Sequence, residues 1–264
     1  MIIEDQSYEI ERWEPEEDLK LICKAARICY KSPEMTERKA MEDFIQKLRT
    51  SDPEHPHHSP LEHSILSVRF TTNRGISHEI VRHRLIAVNQ ESTRYCNYTK
   101  DRWDNNVHFI RDTSIKEGPE YDKWLEDCRK CEERYFNRIT SRECRLDQAR
   151  GVLNNDVKTE LMVTTNYREW LHILNLRCDK KHAHYQMVEL MTPLLNELKA
   201  ELPCVFGDLY NEDVKSPKQH IKYEHDYSDG LDLYFCECGT MVSSDDVFCR
   251  QCGKRFTETK IIMK

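Results

Sequence analysis

The sequence predicts an α+β fold followed by a small metal-bound segment. Two observations carry the first part. Short apolar alternation marks residues 64–72 and 161–165, and longer stretches repeat apolar residues at three- and four-residue steps. The third observation is a doubled cysteine pair between Cys236 and Cys252. A chain of 264 residues has room for one large domain or two unequal ones. We expect a catalytic-sized domain over 1–210, a charged linker over 211–230 and a ribbon over 231–264.

The first elements follow from pattern and punctuation. Residues 2–12 alternate in part and predict an edge strand. Pro15 to Tyr30 predicts a helix: proline suits a first helical position, Glu16, Glu17 and Asp18 suit its first turn, and Leu19, Ile22, Cys23, Ala26 and Cys29 form one stripe. A second helix is expected over Thr36–Arg49, with Met41, Phe44, Ile45 and Leu48 inward. Three prolines between Asp52 and His63 rule out regular structure there. Six of the twelve histidines fall between His55 and His83, but none is spaced as zinc ligands usually are, so a rigid pocket-lining loop is the better expectation.

Ser64–Thr72 predicts a strand with Leu66, Val68 and Phe70 on one face, Asn73-Arg74-Gly75 a turn, and Ile76–Arg84 a short helix. Val107–Ile110 suits a short strand, and Glu117–Cys144 the longest helix, with Trp124, Cys128 and Tyr135 on its stripe. Cys128-x-x-Cys131 allows a redox or zinc pair, though two packed thiols fit the stripe better. Leu161–Thr165 predicts a buried strand, Asn166–Arg177 a helix, and His182–Leu202 a last helix in which Pro193 predicts a kink or a new first turn.

Composition narrows the function. With 38% hydrophobic and 33% charged residues this is a globular chain, and no run of eighteen apolar residues suggests a membrane span. The start, Met-Ile-Ile-Glu-Asp-Gln, lacks the layout of a signal peptide, so a cytoplasmic address is expected. A formal charge of −7 argues against bulk nucleic-acid binding, which leaves a ribbon-bearing nucleic-acid binder as the second choice. Eight cysteines scatter through the first 204 residues and four crowd into Cys236–Cys252, a pattern of reduced thiols plus one metal site. The seven glycines build neither G-x-G-x-x-G nor a P-loop.

Two stretches carry chemistry. Arg82-His83-Arg84 is followed at fixed spacing by Ser92 and Arg94. Guanidinium forks match phosphate or carboxylate oxygens two at a time, and three so close repel unless an anion lies between them. Taken singly, such arginines are usually a solvated face paired here with Glu79 and Glu91. In the C-terminal segment, Cys236-x-Cys238-Gly and Cys249-x-x-Cys252-Gly offer four thiolates for a tetrahedral structural zinc, with no open position for catalysis. A segment of that size buries too little apolar surface to fold unaided, and metal binding, on the order of 10 kcal/mol, supplies the deficit.

Arg82-His83-Arg84, seven residues, Ser92, one residue, Arg94 resembles the R-H-R-x7-S-x-R signature of flavin-dependent thymidylate synthases. His57 to His63, Gln148-Ala149-Arg150, and Asn166-Tyr-Arg168 with Leu174-Asn-Leu176-Arg177 resemble further elements of that family, over residues 1 to about 210. The resemblance implies a mixed or antiparallel sheet with packed helices and a homotetramer with shared active sites. It implies conversion of dUMP to dTMP, with 5,10-methylenetetrahydrofolate as carbon donor, FAD as hydride carrier and NADPH as reductant. It assigns Glu79, Arg82, Ser92, Thr93, Arg94, Arg150 and Arg177 to dUMP, with Arg177 beside the uracil as the catalytic residue. It assigns Ser59, Arg82, His83, Arg84, Gln90, Asn166, Tyr167, Arg168 and His172 to FAD, and His57 to the flavin and folate vicinity. Hydride and carbon transfer then belong to cofactors, and Ser92 is a phosphate donor rather than a nucleophile. Glu79, Gln90 and His172 depart from the glutamine, glutamate and asparagine frequent in the family. A carboxylate at 79 suits a phosphate only if it points away or meets base or sugar.

Overall fold

The computed structural model describes residues 1–29, 31–52, 54–210, 234–235 and 241–242. It divides into two compact units, Met1–Pro217 and Lys218–Lys264. The first unit opens with β1 (Ile2–Glu4) and β2 (Ser7–Arg12), so the single strand expected over 2–12 is two. They pair with different partners, which requires a break at Asp5-Gln6. Helices α1 (Pro15–Ile28) and α2 (Arg38–Thr50) follow, then a 3-10 turn over Ser59–His63. Because α1 stops at Ile28, Cys29 falls beyond the apolar stripe and is exposed, whereas Cys23 is buried as expected.

Next come β3 (Ile65–Asn73), α3 (Arg74–Ile80), β4 (Ala87–Gln90) and β5 (His108–Ile110). Helix α4 (Pro119–Thr140) and the single turn α5 (Leu146–Ala149) lead into β6 (Lys158–Asn166), α6 (Tyr167–Arg177), α7 (Tyr185–Glu201) and α8 (Pro203–Phe206). Pro193 lies within α7 and starts no new helix. It sits on the exposed face, where the carbonyl it leaves unbonded can meet water. In the second unit Tyr234–Phe235 (β7) pairs antiparallel with Met241–Val242 (β8). Cys236, Cys238, Cys249 and Cys252 lie outside the described residues.

Strands β2, β3, β6 and β4 form an antiparallel sheet in that order, and β1 pairs parallel with β5. The β3–β6 ladder sets Phe70 opposite Leu161 and Val68 opposite Val163, so one face of the sheet is apolar. Helix α6 packs on it through Trp170, fully buried, whose ring lies 6.3 Å from Phe70 and whose indole donates to Leu66 O at 3.0 Å. Met187, Leu190, Met191, Leu194 and Leu198 of α7 complete this core. A second cluster gathers Trp124, Cys128, Cys131 and Tyr135 of α4 around Phe109 and Tyr98. Burial pushes the Cys128 thiol up to about 12, and Cys131 donates to Val152 O at 3.3 Å. Both thiols are core groups rather than a reactive pair.

Burial of an indole this completely makes Trp170 the seam between α6 and the sheet. Trp170→Ala should cost about 3–5 kcal/mol, read as a large fall in the urea midpoint. Leu176→Ala, at a position 45% exposed, should stay within about 0.5 kcal/mol. Equal effects of the two would show that this seam is not what holds the unit.

Candidate active site

The site grows from a repeated local device. Strands β3 and β6 both end Thr-Thr-Asn, at residues 71–73 and 164–166. Each asparagine caps the next helix: Asn73 Oδ1 accepts from Ile76 N at 2.8 Å and Asn166 Oδ1 from Glu169 N at 2.9 Å. The strands are antiparallel, so α3 and α6 start from opposite ends of the sheet and run toward one another. Their C-terminal ends meet, where each helix presents partial negative charge. Asn73 is therefore a cap and not the turn expected there, and α3 stops at Ile80, short of Arg84. Arg82-His83-Arg84 lies in the turn beyond, with Arg82 and Arg84 outward and His83 inward.

Arg177, the last residue of α6, joins the two ends. Its Nε donates to His83 Nε2 at 3.0 Å, one terminal nitrogen donates to Glu79 Oε2 at 2.9 Å, and the other to Glu79 O at 3.0 Å. Glu79 thus turns toward Arg177 and away from the signature arginines. His83 is 5% exposed, with His172 edge-on at 5.8 Å and Glu169 Oε1 3.8 Å from its Nδ1. Burial, then the Arg177 and His172 charges, push its pKa from 6.5 to about 4, so the ring is neutral at physiological pH.

A second group surrounds Ser92. Glu91 anchors it: its backbone N donates to Glu160 O at 2.9 Å, its carbonyl accepts from Arg74 at 2.9 Å, and its carboxylate accepts from Tyr98 Oη at 2.7 Å with Lys158 at 3.9 Å. Tyr95 N and Cys96 N donate to Ser92 O at 3.0 and 2.9 Å, which closes the turn. Arg150 reaches in from beyond α5 and donates to Thr93 Oγ1 at 3.3 Å. With Glu79 and Glu91 engaged elsewhere, Arg82, Arg84 and Arg94 have no carboxylate at ion-pair distance among the described residues. The solvated, ion-paired face is not what forms. These unpaired forks are a donor set suited to phosphate or pyrophosphate oxygens.

The remaining expected residues divide. His57 and Ser59 are exposed on the proline-rich loop and its 3-10 turn, which Arg168 of α6 tethers through an ion pair with Glu62. Gln90 points inward and donates to Ser77 Oγ at 2.8 Å and Thr159 Oγ1 at 3.2 Å. Tyr167 requires a correction: its side chain is fully buried, accepts from Trp13 at 2.8 Å and donates to Asp18, so it is a core residue unavailable to FAD. Sequence reasoning missed Glu169, strand β4 and the anchoring role of Glu91, which it expected only as an ion-pair partner of the arginines. Glu169 had a signal, since it stands two four-residue steps before Arg177 and three residues before His172 on one helix face.

The family model described as thymidylate synthase complementing protein matches residues 10–204. The chain belongs to that family. Flavin-dependent thymidylate synthases are similar to it: that of Geobacter sulfurreducens is 28% identical over 191 residues, covering 70% of this chain and 78% of the relative. Those of Thermococcus onnurineus and Mycobacterium tuberculosis are each 31% identical, over 57% and 64% of their own lengths. A solved UMP/dUMP methylase, PolB of Streptomyces cacaoi, bound with 5-Br dUMP, superposes with a TM-score of 0.65 at 19% identity. It covers 78% of this chain and 96% of its own, and so shares the fold of the thymidylate synthase complementing proteins seen here.

The depressed His83 pKa has a thermodynamic consequence. The unfolded ring, near 6.5, binds its proton before the folded one, so the contribution is complete above about pH 6.5 and is lost as pH falls toward about 4. Thermal melting followed from pH 7 to 4 should fall less steeply in His83→Gln than in the unaltered protein. Parallel slopes would show that His83 is not a titrating contributor.

Proposed function

We propose that this chain converts dUMP to dTMP as a flavin-dependent thymidylate synthase. The observation that carries the proposal is the pairing, in a member of this family, of three uncompensated arginines with a half-buried guanidinium held by His83 and Glu79. A phosphate dianion suits Arg82, Ser92 and Arg94, supported by Thr93 and Arg150, each charge-assisted bond contributing roughly 1.5–3 kcal/mol. Arg177 lies deeper and cannot act as a base, but it stabilises an anion developing on the pyrimidine ring. Glu79, an acceptor beside it, is suited to a ring N–H.

Arg84, Arg168, Ser59, Asn166 and His172, with His57 nearby, form the set proposed to hold FAD, and His83 and Gln90 shape its floor. Bound FAD would supply hydride equivalents, with NADPH as reductant and 5,10-methylenetetrahydrofolate as the one-carbon donor. A homotetramer with shared sites is supported by β4, an edge strand flanked by exposed Leu85 (72%) next to Arg84 and Tyr95 (71%) next to Arg94. The four C-terminal cysteines are proposed to bind one structural zinc, since four thiolates complete its tetrahedral shell. A cytoplasmic location suits so many free thiols.

Purified protein should be yellow, release FAD on denaturation and form dTMP from dUMP only with both NADPH and methylenetetrahydrofolate. A colourless protein that takes up no FAD would sink the proposal. Arg177→Ala should keep FAD yet lose about 100-fold in kcat, since it removes one positioned charge donor. Zinc should be found near one per chain and disappear in Cys249→Ser; folded, metal-free protein would overturn the ribbon.

A further inference from the structure

Arg177 Nε donates to His83 Nε2 at 3.0 Å. A ring nitrogen that accepts carries no proton, so the neutral imidazole must hold its proton on Nδ1. That side faces Glu169, whose Oε1 lies 3.8 Å away, close enough for a small side-chain rotation to make a hydrogen bond. The two side chains are only 5% and 10% exposed. Glu169 is the third residue of α6, where the helix N-terminus stabilises a sequestered negative charge. Its carboxylate and the Arg177 guanidinium share a helix face. The other groups facing His83 are Arg177 and His172 of α6, with Glu79 of α3 reaching it through Arg177. A carboxylate outcompetes the His172 ring as an acceptor.

We propose that Glu169 is a positioning residue for Arg177: it holds the His83 proton on Nδ1, leaves Nε2 to accept from Arg177, and so keeps the guanidinium aimed at the pyrimidine. The aim at the pyrimidine rests on the function proposed above; the tautomer does not. His83, Glu169 and His172 also have ligand atoms within 4.8 Å of one another, a set that could take a metal ion. The adjoining Arg177 charge opposes a cation there.

The test uses full-length, FAD-loaded protein labelled with 15N-histidine, the His83 signal being assigned by its loss in His83→Gln. Nitrogen–hydrogen couplings distinguish the two tautomers. The unaltered protein should show His83 protonated on Nδ1. Glu169→Gln should shift it toward Nε2 and lower kcat about tenfold, with KM for dUMP changed less than about twofold. Glu169→Asp keeps the charge at the helix start but withdraws it by one methylene; it should shift the tautomer in the same direction, whereas a merely helix-stabilising role predicts unaltered behaviour. An Nδ1 tautomer kept in both variants would overturn the proposal, as would broadening of the His83 and His172 signals by stoichiometric Mn2+. A tautomer shift in a protein that makes no dTMP would sustain the positioning and refute the synthase function instead.

Discussion

A guanidinium mostly shielded from water must spend its donors, and the first unit is arranged around spending those of Arg177. Its partners come from a strand-to-helix unit far away in sequence, at Glu79 and His83. They are brought there by the β3–β6 register and by two asparagine caps that fix where α3 and α6 begin. A one-residue slip of β6 against β3 would turn Leu161 and Val163 to the face opposite Val68 and Phe70 and carry the helix ends apart. The apolar seam under Trp170 is therefore also the device that aligns the polar junction.

The site separates its charges by depth. Toward solvent, Arg82, Arg84 and Arg94 lack carboxylates and present a positive rim that favours polyanions. Inside, Arg177 is matched by Glu79 and bonded to a neutral imidazole. Glu79, which departs from the family's usual glutamine, takes its place in this inner group, so its charge does not oppose an anion at the rim. Glu91 does similar work below Ser92: backbone and carboxylate both engaged, it fixes the turn without reaching the arginines.

Helices with a strong period were legible in the sequence: α1, α2, α4 and α6 begin or end within a few residues of their expected bounds. Strand β4 was not, because Ala87–Gln90 is exposed at three of four positions and has no buried alternation to reveal it. The end of α3 escaped because the apolar spacing of Ile76, Ile80 and Val81 continues past the point where the chain must turn His83 inward. The family resemblance pointed to the arginines and to Arg177 as candidate site residues. It could not show which carboxylates they would meet, since Glu79 and Glu91 lie close in sequence to Arg82, Arg84 and Arg94, whereas Glu79 meets Arg177 from 98 residues away. Tyr167 shows the opposite case: the resemblance assigned it to FAD together with Asn166 and Arg168, whereas its place in the helix period sends its side chain into the core.

The neutrality of His83 ties these features together. Were the ring protonated, Nε2 would carry a hydrogen facing the Arg177 Nε–H, turning a hydrogen bond into a repulsion between two cations. Burial and the neighbouring guanidinium both act against that proton, so the geometry and the ionisation state support one another. The same shielding makes the junction demanding. Any group that takes the place of His83 must accept from Arg177 while filling an enclosed space between two helix ends, and a charged replacement fails the first condition. The inner half of the site is therefore a rigid acceptor frame for one guanidinium, and adaptability to a ligand is left to the exposed arginines of the rim.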